Sequence, residues 1–114
     1  MPVLKVQANK RIDNKDEWMR SATSFMAELL SKPEKFIMVH FEENHAMMFA
    51  GSAEPLAYIE LKSINLPESE TKHFASEICA FLERTIKIPK ERIYIEFANA
   101  QPNMFGWNGA TFER

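Results

Sequence analysis

Apolar residues recur with a period near two in some stretches and near 3.6 in others, and the order of these stretches predicts the elements. Residues 3–8 are β-prone and carry Lys5 and Gln7, which reads as a strand with one polar face. Asn14 with Glu17 three residues on has the form of a helix capping box. Behind it Trp18, Met19, Ala22, Phe25, Met26, Leu29 and Leu30 fall on one stripe of a helix of about four turns. Ser31-Lys32-Pro33 should end that helix, because the residue before a proline is pushed out of the α region. Residues 36–41 form an apolar run that predicts a buried strand. Met47-Met48-Phe49-Ala50 is a candidate short strand before the break at Gly51-Ser52-Ala53-Glu54-Pro55. Residues 56–63 alternate, with Ala57, Ile59 and Leu61 on one face and Tyr58, Glu60 and Lys62 on the other. A second helix is expected after Pro67, with Phe74, Ala75, Ile78, Phe81, Leu82 and Ile86 as its stripe. Arg92-Ile93-Tyr94-Ile95-Glu96-Phe97 is the last long strand, and residues 99–114 are a tail of turn formers with short strands.

The two halves echo one another, each reading strand, helix, proline, strand, with Ile37/Ile93, Val39/Ile95 and Phe41/Phe97 as matched apolar pairs. The prediction is an α/β (α+β) fold with two βαβ repeats, over roughly residues 2–50 and 55–105. They build a four-stranded mixed sheet with both helices on one face. Strands within each repeat are parallel with a right-handed crossover. The whole of 1–114 reads as a single domain. Apolar residues on both sides of the sheet would leave its second face without cover in its own chain, and an oligomer is the simplest cover.

Composition narrows the partners. A content of 46% hydrophobic residues, with 9 Phe and 7 Met in 114 residues, supports an oligomer interface. The net charge of −2, without any run of Lys/Arg beyond two, gives no electrostatic footprint for nucleic acid or an anionic membrane. A lone Cys79 excludes an internal disulfide framework and a four-cysteine zinc site, and fits a reducing compartment. His40, His45 and His73 lack metal-ligand spacing, so no metal is expected. No apolar run approaches the roughly 18 residues of a membrane span, and no signal-peptide core is found near the start. The expected localisation is cytoplasmic.

One candidate for chemistry is Pro2. Met1 precedes a small residue and in that setting is normally trimmed, which would leave Pro2 with a free secondary amine. An α-amino group titrates at about 7.7–8.0, and an apolar pocket or a nearby cation lowers that value. A neutral amine near physiological pH is a good general base. Taken alone, proline at position 2 is commonplace, and Lys32 alone is a cation favoured at a helix C-terminus.

Together, Pro2, Lys32-Pro33, Gly51-Ser52-x-Glu54-Pro55, Ser63-Ile64, Arg92-Ile93-Tyr94-Ile95 and Gly106-Trp107-Asn108-Gly109 resemble, over essentially the whole chain, the macrophage migration inhibitory factor family of the tautomerase superfamily. The resemblance implies a homotrimer whose sheets face a central channel, with an active site at each subunit boundary and no cofactor. Pro2 would be the general base of a keto–enol tautomerase acting on phenylpyruvate-like α-keto acids. Lys32 would bind the substrate's carboxylate or carbonyl oxygen, helped by the backbone N–H of Ile64, and Tyr94 of the adjacent subunit would hydrogen-bond the substrate oxygen. Phe36, Phe105, Trp107 and Phe112 would line or support the pocket. Glu96 stands where the best-known members have asparagine. Its charge would disfavour an anionic substrate and raise the Pro2 pKa. Asn65 replaces the usual glycine, and Leu56-Ala57-Tyr58-Ile59 lacks the thiols some members carry, so thiol–disulfide activity is not carried over. Two other readings stay open: a cytokine-like protein that presents this fold to a host receptor, secreted without a signal peptide, and a trimeric scaffold with vestigial tautomerase activity.

Overall fold

The computed structural model describes residues 1–113; the final residue of the predicted tail, Arg114, lies outside the described residues. The chain forms β1 (Val3–Ala8), α1 (Lys15–Leu30), β2 (Met38–Glu42), β3 (Ala57–Ile64), α2 (Thr71–Ile86), β4 (Ile93–Ala100), and a small hairpin of β5 (Gly106–Trp107) and β6 (Ala110–Thr111). The large sheet has the order β2-β1-β3-β4. β1 runs parallel to β2 and β3 parallel to β4, while β1 and β3 are antiparallel. That is the mixed sheet of two βαβ repeats expected from the alternation of periods.

Burial follows the two periodicities. Leu4, Val6, Ala8, Ala57, Ile59 and Leu61 are buried from alternate positions of the two central strands. They share one core with Trp18, Ala22 and Met26 of α1 and Phe74, Ile78, Phe81 and Leu82 of α2. The caps act as read from the sequence. Asn14 Oδ1 accepts from the Glu17 N–H at 3.3 Å, and the Asn14 side-chain amide donates to the Glu17 carboxylate at 2.7 Å. At the other end of α1, Ser31 turns into the left-handed region at φ 54°. There the Lys32 N–H donates to Ala27 O at 3.0 Å and the Ser31 N–H to Glu28 O at 3.3 Å, a Schellman closure that fixes where Lys32 leaves the helix.

Three expectations need correction. The strand read at 36–41 begins only at Met38, because Glu34–Phe36 is a 3-10 turn held by the Phe36 N–H on Pro33 O at 3.1 Å. Residues 47–50 are not a strand. Phe49 and Ser52 exchange two hydrogen bonds of 3.0 Å across a tight turn at Ala50 and Gly51, whose φ angles are 54° and 73°. Finally, the helix-free face of the sheet is not apolar. It carries Lys5, Gln7, His40, Glu42, Glu60, Lys62 and Glu96, with Val3, Met38, Tyr58 and Tyr94 among them. Lys5 Nζ lies 3.8 Å from Glu42 and 4.0 Å from Glu60, and His45 Nε2 lies 3.3 Å from Glu42. Such a face tolerates water, so any second cover over it would bury charge as well as apolar area.

Candidate active site

Pro2 is fully buried where the chain enters β1. Its carbonyl accepts the Met38 N–H at 3.0 Å, which ties it to the start of β2. The 3-10 turn at Glu34–Phe36 leads directly into that strand, so Lys32, Phe36 and Pro2 are brought together by one piece of backbone geometry. Two cavities meet there. The larger, of about 550 Å³, is lined by Met1, Lys32, Pro33, Phe36, Ile64, Asn65, Pro102, Phe112 and Glu113. The smaller, of about 360 Å³, is lined by Met1, Pro2, Val3, Lys35, Phe36, Ile37, Met38, Phe105, Gly106 and Trp107.

Met1 and Phe36 belong to both cavities. The Met1 amine has its pKa lowered from the ordinary α-amino value, first by burial and then by the Lys32 cation. The aromatic wall is continuous: Phe36 meets Trp107 edge-on at 6.3 Å between centroids, Trp107 stacks on Phe112 at 6.4 Å, and Phe105 lies 6.0 Å from Phe112. Trp107 is carried by the β5–β6 hairpin, closed by Asn108 and Gly109 at φ 53° and 82°, which are residues suited to a primed turn. A Cβ added at Gly106 would come within 3.2 Å of Ala110 O, so the hairpin's tight approach depends on a missing side chain there. Asn65 sits at φ 55°, a conformation asparagine tolerates better than most residues, and it thus replaces glycine without breaking the turn after β3. Asn99 of β4 braces that turn, accepting from the Leu66 N–H at 3.2 Å.

Of the residues predicted for the site, Pro2, Lys32, Ile64, Phe36, Phe105, Trp107 and Phe112 therefore border these two cavities. Tyr94 and Glu96 do not. Val3 shares its row of the sheet with Lys62 and Ala98. Tyr94 lies four residues further along β4, or about 13 Å at strand rise. Tyr94 is 66% exposed and packs edge-on against Phe49 at 4.9 Å. Glu96 accepts the Tyr58 hydroxyl at 3.4 Å on the helix-free face. The Tyr58 phenol has its pKa raised, by burial first and by Glu96 and Glu60 next. Both side chains lie on the helix-free face and border neither Pro2 cavity of their own chain. Sequence reasoning missed Lys35, Met38, Pro102 and Glu113 as lining residues. Nothing in the spacing marked Lys35, because the 3-10 turn that carries it starts only at Glu34, beyond the extended Pro33.

The fold and this site define a protein of two βαβ repeats with a terminal amine held between a lysine and an aromatic wall. The sequence profile of Macrophage migration inhibitory factor (MIF) matches residues 1–113, and the chain belongs to that family. The macrophage migration inhibitory factor homologue of Trichinella spiralis is 32% identical over 98% of this chain and 100% of that protein. The Brugia malayi homologue is 36% identical over 83% and 84%. The crystal structure of the Prochlorococcus marinus homologue superposes with a TM-score of 0.91 at 35% identity, covering 97% of this chain and 99% of that one. The solved Trichinella spiralis protein gives a TM-score of 0.88 at 30% identity over 96% and 99%. Membership places the chain in the tautomerase superfamily, in a family of tautomerase and cytokine-like function whose fold is known for oligomeric assembly. Among the described residues no helix is long and apolar enough to cross a membrane.

Proposed function

We propose that this protein is a keto–enol tautomerase for arylpyruvate-type α-keto acids, with the secondary amine of Pro2 as the base once Met1 is removed. The observation that carries the reading is the placement of Met1 and Pro2. The terminal amine of the chain as written already sits beside Lys32 with a lowered pKa, and Pro2 lies one residue deeper, fully buried under the same wall. A ring nitrogen set against apolar walls and near a cation has its pKa lowered, which favours the neutral form a general base requires.

The step balances without a co-reactant. The Pro2 nitrogen takes a proton from the carbon next to the ketone, and the C–H pair becomes the enol double bond. The carbonyl π pair moves to oxygen, which is then protonated; the reverse path returns the ketone. Lys32 offsets the substrate carboxylate and the developing negative charge. Tyr94 supports a trimer in this scheme, because it is exposed far from Pro2 on an outer strand and would reach a neighbour's site. β2 and β4 are both outer strands and could pair with neighbouring copies.

The test compares enol–keto conversion of phenylpyruvate by the Met-trimmed protein and by Pro2→Gly. The substitution should lower kcat/KM by about 10²–10⁴, the usual contribution of a positioned base. Equal rates would remove Pro2 from the chemistry.

A further inference from the structure

The cavity that contains Pro2 has one charged side chain in its lining, Lys35, and the tautomerase reading gives it no role. Lys35 is solvent-accessible, with its ammonium 5.1 Å from the centroid of Phe36. Among the described residues, the ion pairs involve Lys5, Lys15, His40 and His45, and neither Lys32 nor Lys35 takes part in one. The remaining lining of that cavity is apolar or backbone-like: Val3, Ile37, Met38, Phe105 and Trp107 among it. The neighbouring cavity differs, since it offers Lys32 together with the carboxylate of Glu113, which accepts the Thr111 hydroxyl at 3.0 Å.

Met1 is the shared partition between the two cavities. Its removal would join them into one trough, with Phe36 as the common wall, Lys32 in one arm, Lys35 in the other, and the Pro2 nitrogen between. A substrate with one carboxylate pairs with one of these lysines and leaves the second without an anionic partner. We infer that the site takes a doubly anionic arylpyruvate, an α-keto acid whose ring bears a second carboxylate, and that Lys35 is the residue that selects it. The inference rests on the proline-base reading for the reaction, but the subsite itself requires only the trough and its two cations. The ring of such a molecule would lie against Phe36 and Trp107, both of which line the cavity, Trp107 being 59% exposed.

Two measurements on the Met-trimmed full chain test this. The first is kcat/KM for 4-carboxyphenylpyruvate relative to phenylpyruvate. The second needs no turnover and compares quenching of tryptophan fluorescence by terephthalate and by benzoate. An exposed lysine should favour the doubly charged ligand by about fivefold in each. Lys35→Gln should bring both ratios to about one, Lys35→Arg should restore them, and Lys87→Gln, beside a separate cavity at the end of α2, should leave them as in the wild type. A ratio near one in the wild type, or one that Lys35→Gln does not move, overturns the proposal and points to Lys35 pairing with an acidic side chain of a neighbouring copy. Terephthalate preference without turnover of either keto acid would sink the proline base and keep the Lys35 subsite. Turnover of both keto acids at equal efficiency would do the reverse.

Discussion

Ser31 and Lys87 stand 56 positions apart, and each closes a 16-residue helix by entering the left-handed region, at φ 54° and 61°. Two residues later Pro33 and Pro89 adopt nearly the same backbone, φ −64° with ψ 142° and φ −61° with ψ 140°. Each starts a 3-10 turn that delivers the chain into a strand. The side chains on this shared frame part company. Position 32 is an exposed lysine at the cavity mouth, and its counterpart Ile88 is completely buried in the core. Position 36 is an aromatic cavity wall, and its counterpart Arg92 is a clamp. Arg92 donates through Nε to Pro55 O at 3.0 Å and through Nη1 to Phe49 O at 3.2 Å. Its Nη2 reaches Ser52 O at 2.9 Å and Glu54 O at 3.0 Å. The repeat thus supplies geometry, and a few side chains decide whether the turn borders an open cavity or ties down the 49–55 loop.

Exchanging those side chains should expose the asymmetry most sharply at Ile88. Ile88→Lys places an ammonium in a fully buried apolar site, and about 4 kcal/mol or more of stability should be lost, enough to unfold a marginal domain. Lys32→Ile, the opposite exchange on an exposed site, should move stability by no more than about 0.5 kcal/mol. Urea midpoints at one fixed protein concentration check both, since assembly would otherwise contribute. Similar losses from the two exchanges would mean that the turns are not divided into a packed and an open one.

Arg92→Ala should come next, at about 3 kcal/mol, because it leaves four carbonyls without their charged donor. Arg92→Lys should recover less than half of that, since an ammonium cannot reproduce a planar fork spread over Phe49, Ser52, Glu54 and Pro55. Thermal melting reads the loss, and faster amide hydrogen exchange at residues 49–55 locates it. A variant that melts without loosening that loop would show that Arg92 acts elsewhere. Phe36→Ala, at the matching position, should cost only about 1 kcal/mol because the ring is partly exposed and borders a cavity.

Much of this was legible in the sequence where a rule had a single outcome. Alternation in 57–62 fixed one face of β3, the Asn14/Glu17 pair marked a helix start, and the proline after Lys32 marked the end. It failed where apolar runs are ambiguous. Residues 36–41 are apolar on paper at both parities, so periodicity could not separate a 3-10 turn from a strand. Once the strand is known to start at Met38, its open-face positions are Met38, His40 and Glu42, and the charged character of that face follows. The turn at Ala50-Gly51 hid behind the apolar Met47-Met48-Phe49. The clamp that specifies it sits 40 residues away from Ser52, in Arg92. Tyr94 and Glu96 mark the other limit: they were read into the site, but they stand on the helix-free face away from both cavities of their own chain, and β4 alone says nothing of what they would meet.

The mildest expected effect concerns acidity at Lys32, the exposed member of the exchanged pair. The terminal amine in this corner has a pKa below its ordinary value, with burial the larger cause and Lys32 the smaller. If Pro2 inherits that corner, the base is neutral at a lower pH than a free amine would be, and kcat/KM rises with pH through that lowered value. Lys32→Ala removes the smaller cause only. The rising limb should therefore move to higher pH but stop short of the position of an exposed secondary amine, because burial remains. Ile88 has no bearing on this limb, so a milder variant of the buried twin, Ile88→Val, should reproduce the wild-type profile despite its loss of about 1 kcal/mol in stability. A limb that stays in place in Lys32→Ala would separate the lysine from the base and leave it a role in holding the carboxylate alone. A limb that moves for both variants would show that packing of the repeat, and not charge at one of its turns, sets the acidity of the amine.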